Sequence, residues 1–242
     1  MDDNELLGLL EDNNANLTFE ESGGTSSVPK NGNFTKGESW WDKTDITPLA
    51  PKVEDFKKSG RSFTVYGIYE NKDVLPDTVI EKFIKIGTAL ANKGFKFRNY
   101  GSDTNNLHNK LLEISNLTSV AFLPFPSFNK NIQKPFRKFP QDIAYQIAMH
   151  YSRNFTELKP ALRAIISSRF NAILGKDCID PVDILIMYNT SGMESTGKDV
   201  DYKGTGEIPR FIKLCGDCDI PYFNIGNEEA LPKIVDFIKA IE

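Results

Sequence analysis

Apolar, β-rich stretches that alternate with amphipathic helical stretches from Arg61 onward predict an α/β fold: a doubly wound, mainly parallel sheet with helices on both faces. The 60 residues ahead of it show no sustained apolar period and are dominated by Asn, Ser, Gly and Pro between 13 and 51. That predicts a flexible acidic arm at residues 1–60 and one domain at residues 61–242. No apolar run approaches the roughly 20 residues of a membrane span, and the acidic N-terminus lacks the basic start of a signal peptide. The expectation is a cytoplasmic protein with no membrane partner.

The elements follow in order. Residues 62–68 alternate as a first strand, and Pro76 opens a helix whose apolar positions Val79, Ile80, Phe83, Ile84, Ile86, Gly87 and Leu90 recur at helical spacing until Lys93-Gly94 ends it. Residues 95–98 form a second strand, Asn99-Tyr100-Gly101-Ser102-Asp103 a turn, 105–114 a helix and 119–123 a third strand. An irregular segment rich in Phe and Pro runs to Pro140, followed by helices near 141–150 and 156–174. The fourth strand is 182–188. A polar loop then reaches Lys203, a helix covers about 206–215, a short fifth strand covers 221–224 and an amphipathic helix closes the chain at 228–241.

Lys203-Gly204-Thr205-Gly206 lies between the fourth strand and the next helix. Glycines let backbone N–H groups approach an anion, Thr205 adds a hydroxyl, and a helix N-terminus supplies dipole and donors, so the turn reads as a phosphate cradle or as a plain glycine-rich connection. In a doubly wound sheet, ligands sit outside the carboxyl ends of the strands. The candidate crevice therefore gathers Gly67, Arg98, Tyr100, Gly101, Ser102, Asp103 and Asn189 with Lys203, Gly204, Thr205 and Gly206. Arg98 is expected to pair with phosphate, Ser102 and Asp103 with ribose hydroxyls.

Charge is unevenly placed. Residues 1–21 carry seven acids and no base, whereas residues 130–176 carry nine bases against Asp142 and Glu157. An acidic tail on a locally basic body points to a polyanion. Phenylalanines 122, 125, 128, 136 and 139 interleave with Lys130, Lys134, Arg137 and Lys138, a pattern that suits single-stranded nucleic acid or simply anchors a loop to the core. Trp40-Trp41 either packs the arm onto the domain or engages a partner. Cys178, Cys215 and Cys218 are an odd number and too few for a disulfide framework; Cys215-Gly216-Asp217-Cys218 spells C-x-x-C, but a zinc site would need two more ligands, and Cys178, His108 and His150 are not at paired spacing, so helix-end cysteines are expected ahead of metal or redox chemistry. His108 and His150 read as ordinary surface or helix residues. Only Asp103 and Glu207 stand out as carboxylates for acid–base work.

The succession Gly94 to Asp103, Leu123-Pro124, Ile173-Leu174-Gly175, Pro181-Val182-Asp183, Gly204-Thr205-Gly206 and Ile220 to Asn224 resembles the SLOG superfamily over about residues 62–240. That group of Rossmann-like proteins includes DNA-processing protein A and the LOG lysine-decarboxylase-like proteins. Small stand-alone members from bacteria and phages are the nearest likeness. Tyr100 and Lys203 stand where the family has glycines, and Glu207 follows Thr205 by two positions, where the LOG motif spaces its glutamate by three. The resemblance implies DNA binding in replication, recombination or transcription. With the charge pattern, it makes DNA the expected partner, gripped by the turn residues and by Lys130, Lys134, Arg137, Lys138, Arg163 and Arg169. The acidic arm is then a modulator or the seat of a protein partner, and a homo-oligomer is compatible with the reading. No catalytic residue, cofactor or metal is assigned. The competing expectation is a sensor of a nucleotide or ADP-ribose derivative, or a LOG-type N-glycosidic hydrolase, using the same crevice.

Overall fold

The computed structural model describes residues 47–67, 75–100, 107–114, 120–125, 128, 137–138, 142–194 and 207–241, with the side chains of 112, 114, 137 and 138 left aside. Among these are six strands, β1 (Ser62–Gly67), β2 (Lys96–Phe97), β3 (Ala121–Phe122), β4 (Arg137–Lys138), β5 (Ile184–Tyr188) and β6 (Tyr222–Asn224), and six α-helices, which alternate except that β4 follows β3 and two helices precede β5. The helices are α1 (Asp77–Asn92), α2 (Leu107–Ile114), α3 (Asp142–Tyr151), α4 (Pro160–Leu174), α5 (Glu207–Asp217) and α6 (Ala230–Ala240). Four strands pair in the order β2-β1-β5-β6 and β3 pairs with β4, every ladder parallel. A parallel bridge from Asn99 to Ala121 sets β3 beside the end of β2. The α/β fold with a parallel sheet between helices is therefore the observed one. β4 falls inside the segment that sequence alone reads as irregular.

Alternation along the strands assigns the two faces. Phe63 and Val65 of β1, Phe97 of β2, and Ile184 and Ile186 of β5 share one core with Val79, Phe83 and Leu90 of α1, Leu107 and Leu111 of α2, and Ile234 of α6. Gly87 brings α1 against α2, because a Cβ there would stand 2.4 Å from Leu111 Cδ2. α1 ends in a Schellman turn: Gly94 adopts positive φ, its N–H reaches Ala91 O at 2.9 Å and that of Phe95 reaches Leu90 O at 3.1 Å. The opposite face carries α3, α4 and α5, where the Phe211 ring lies 4.8 Å from Tyr66 and 5.7 Å from Phe170, which stacks on Tyr151.

α4 is enclosed rather than amphipathic. Pro160 opens it at the first turn, and twelve of its fifteen residues are buried, so it behaves as a core helix between the sheet and α3. Two of its polar residues bond locally: Ser168 Oγ donates to Ile165 O at 2.8 Å, and Asn171 Nδ2 caps the C-terminus through Gly175 O at 2.8 Å and Lys176 O at 3.0 Å.

One of the two units into which the chain divides runs from Ile46 to Glu242, so the described residues 47–60 go with the sheet and helices. Lys57 N–H donates to Ile179 O at 2.6 Å, the Ser59 N–H and hydroxyl donate to the Asp180 carboxylate at 2.9 and 2.5 Å, and Lys58 Nζ reaches Asp183 at 2.6 Å. Asp183 also accepts from Ser62 N–H at 2.8 Å. Residues 47–60 contain little to bury, which hides them in a composition count. They are held by backbone hydrogen bonds and two aspartates beneath the sheet. Residues 1–46 lie outside the described residues, Trp40-Trp41 among them.

Candidate functional site

The strand order reverses between β1 and β5: β1 crosses through α1 to β2 on one side, and β5 crosses through α5 to β6 on the other. In parallel sheets the crevice outside the carboxyl ends at such a point is the ordinary ligand seat. Tyr66, at the end of β1, and Tyr100, just past β2, bring their rings to 5.6 Å. Arg169 reaches in from α4, its guanidinium carbon 5.6 Å from the Tyr66 ring and 5.8 Å from the Tyr100 ring. Such cation–π contacts are each worth about 0.5–2 kcal/mol. Arg169 Nη1 donates to Glu207 Oε1, and Glu207 is the first residue of α5, where the helix dipole favours a carboxylate. Between Thr64, Tyr66, Tyr100, Arg169, Ile173 and Phe211 lies a crevice of about 10 Å³, room for the centre of one water.

His108 of α2 supports this wall from behind. It is 2% exposed, its ring stands edge-on to Tyr100 at 4.6 Å and to Phe97 at 5.4 Å, and Nδ1–H donates to Asn99 Oδ1 at 2.7 Å. Burial, and then the charge of Arg169, lowers its pKa to about 3, so the imidazole is neutral. Of the expected surface or helix residue, His108 is the helix residue and not a surface one: the apolar period of α2 turns it inward beside Leu107 and Leu111.

The expected site residues divide. Tyr100 belongs to the wall. Gly67 ends β1 but does not line the crevice: its missing side chain lies on the α1 face of the sheet and makes room for Leu75, whose Cδ1 would be 2.9 Å from a Cβ. Arg98 turns the other way, under the sheet: Nη2 pairs with Asp180 Oδ2 at 2.8 Å, and Nη1 donates to Asp180 O. Its guanidinium is buried on a carboxylate and does not face the crevice, because alternation fixes the face of a side chain but not its direction along the strand. Asn189 is knitted into β6. Its Oδ1 accepts from Asn224 Nδ2 at 2.7 Å and from Met193 N–H at 3.2 Å, and a Cβ on Gly226 would stand 2.0 Å from its carbonyl oxygen.

Gly101, Ser102, Asp103, Lys130, Lys134, Lys203, Gly204, Thr205 and Gly206 lie outside the described residues. Arg137 and Lys138 form β4, their side chains not described. Arg163 is buried on α4, and Arg169 is the crevice residue paired with Glu207, so neither belongs to an exposed electrostatic surface. The all-round burial of α4 is the reason. Arg153, Lys159 and Lys176 are exposed. The signals missed in the sequence are Tyr66 on the same strand face as Thr64, Arg169 in a helix without a polar face, and Phe211 one turn after Glu207.

All three cysteines are buried free thiols. Burial pushes Cys178 and Cys218 up to about 12 and Cys215 well above its ordinary value. Among the described residues, no group of three or more His, Cys, Asp or Glu could hold a metal ion, and no helix is long and apolar enough to cross a membrane. Compared with family models, curated proteins and solved structures, the chain matches none.

Proposed function

We propose that the protein is a cytoplasmic binder of a nucleotide-type ligand, seated at the strand switch point. One observation carries this reading: a guanidinium held across two tyrosine rings at the carboxyl ends of β1 and β2, facing the first residue of α5. A cation beside aromatic faces suits a ligand that joins a phosphate to a flat ring. The Gly204-Thr205-Gly206 turn precedes Glu207 directly in sequence, and the SLOG resemblance supplies the nucleotide or ADP-ribose class. In its enzymatic form, N-glycosidic cleavage, the reading has Glu207 as the carboxylate at the crevice.

The test is a thermal-shift and calorimetric panel of AMP, ADP-ribose and adenosine. Ligand at about 100 times its Kd adds about 2.7 kcal/mol to stability, a readily measured change. Arg169→Lys, which keeps the charge but loses the planar fork, is expected to weaken the phosphorylated ligands at least about tenfold, as is Gly204→Asp. A flat panel ends the reading.

DNA binding is the second reading, favoured by the exposed bases Arg153, Lys159 and Lys176 and by the nine bases of residues 130–176. Burial of Arg163 and engagement of Arg169 shrink that surface, which is why DNA stands second. Mobility shifts of the full chain and of a form starting at Ile46 decide it. DNA affinity is expected to fall steeply with salt and to rise when the acidic arm is removed. Absence of binding at low salt by both forms ends it.

A further inference from the structure

Two arginine–carboxylate pairs of different construction lie among the described residues. Under the sheet, Asp180 holds Arg98 with a short side chain that Ser59 pins through two hydrogen bonds of its own, and the arginine also donates to the Asp180 carbonyl. Parting them requires the backbone of the Asp180 turn to move. At the switch point, Glu207 reaches Arg169 from the start of α5 on a longer side chain, and the two side chains are 15% exposed for Arg169 and 17% for Glu207. Parting these is a matter of rotating a longer, partly exposed side chain at a helix end, with no main-chain carbonyl of Glu207 in the pair. Arg169 itself stays where it is, because the Tyr66 and Tyr100 rings hold the guanidinium.

We propose that Glu207 occupies an oxyanion seat on Arg169 in the ligand-free protein, and that a phosphate group of the ligand takes that seat by displacing it. This inference rests on the switch point being a ligand site. Carboxylate and phosphate present the same kind of acceptor oxygens to a guanidinium fork, so one can replace the other without rebuilding the arginine. The crevice beside the pair holds only about one water, about 10 Å³, so a phosphate reaches Arg169 only if something leaves. Glu207, 17% exposed on a longer side chain than that of Asp180, is the group assigned to leave. Once displaced, it remains at the first residue of α5, where a negative charge is favoured, which offsets part of the cost.

Ligand affinity is then a difference between two anions competing for one cation. Ligands without an anion do not compete, and a wrong ligand that approaches only through its ring meets a closed pair. Because the arginine is already oriented by the two rings, little side-chain freedom is lost when the ligand arrives.

The experiment titrates full-length protein with inorganic phosphate, AMP and adenosine at fixed ionic strength, in wild type, Glu207→Gln and Arg169→Lys. Glu207→Gln keeps size and polarity but removes the competing charge, and is expected to bind phosphate and AMP about tenfold tighter or more, with adenosine unchanged. Arg169→Lys is expected to weaken both anions. Glu207→Asp, which keeps the charge on a side chain one methylene shorter, is expected to fall between wild type and Glu207→Gln and serves if Glu207→Gln does not fold. Anion affinity in the Glu207 variants equal to or weaker than wild type overturns the exchange, as does tightening that extends equally to adenosine. Wild type that binds AMP while Glu207→Gln binds it no tighter overturns the exchange and leaves the nucleotide reading standing. Phosphate binding by Glu207→Gln with AMP binding by neither form supports the exchange and ends the nucleotide reading. Silence of all forms toward every anion overturns both.

Discussion

Acidification from pH 6.5 toward pH 3 is expected to remove about 4 kcal/mol of stability through His108 alone, at about 1.4 kcal/mol for each pH unit. In the folded protein the imidazole has a pKa of about 3, against an ordinary 6.5, because it is buried and then because Arg169 is near. Below 6.5 an unfolded chain takes up a proton that the folded chain refuses. The stabilisation is therefore complete above pH 6.5 and is lost as pH falls toward 3. His108→Gln keeps a donor for Asn99 and removes the titration. That variant loses the ring contacts to Tyr100 and Phe97, so it is expected to be less stable than wild type at pH 7 and to lose less on acidification. Urea midpoints measured from pH 7 to 4 check this, and parallel losses in the two proteins would contradict it.

Asp180→Ala is expected to destabilise by about 4 kcal/mol, because removing one partner of a buried pair leaves the other charge without compensation. Arg98 is 8% exposed at its side chain, and desolvation is the largest influence lowering its pKa, with Asp180 acting against it. The same substitution releases the Ser59 backbone and hydroxyl, so residues 56–62 lose one of their holds on the turn before β5, while those through Ile179 and Asp183 remain. Lys58→Ala at the more exposed pair with Asp183 is expected to cost less than about 1 kcal/mol, which sets the scale. Adding Arg98→Met to Asp180→Ala is expected to recover part of the loss, since an apolar side chain replaces the stranded charge. Denaturation midpoints of wild type and these variants test the set, with Arg98→Met alone completing the cycle. A double variant that loses the sum of the two single effects would show that the pair does not act as a unit.

The layers of the fold are legible in the sequence because strand alternation and helical spacing are both periodic. Phe63, Val65, Phe83 and Leu90 announce their core face, and Gly94 announces the end of α1. β4 is not legible: two residues, Arg137 and Lys138, among prolines and lysines carry no period. The switch-point cluster is only partly legible. Tyr100 can be read from its place after β2, but the partner of Arg169 is 38 positions away, and no local rule joins them. Placing Arg163 and Arg169 among surface bases by charge alone overlooks a signal that is present, since the residues from Pro160 to Leu174 offer no polar face. Arg98 shows a further limit: pattern gives the side of the sheet, and only the tertiary turn at Asp180 decides which end of the strand the guanidinium serves.

The central ladder between β1 and β5 also constrains how the chain folds. Phe63 and Ile184 are partners, yet about 120 residues separate them in sequence. The length-dependent part of closing such a loop costs about 4 kcal/mol of chain entropy before any contact between the two strands repays it. β1, α1 and β2 are neighbours along the chain and can assemble locally, whereas β5 must wait for α2, β3, β4, α3 and α4 to be made. During synthesis one edge of β1 therefore stays open until the residues after 184 have emerged. That edge, apolar on one face and destined for the middle of the sheet, is where a nascent or truncated chain is most exposed to pairing with another.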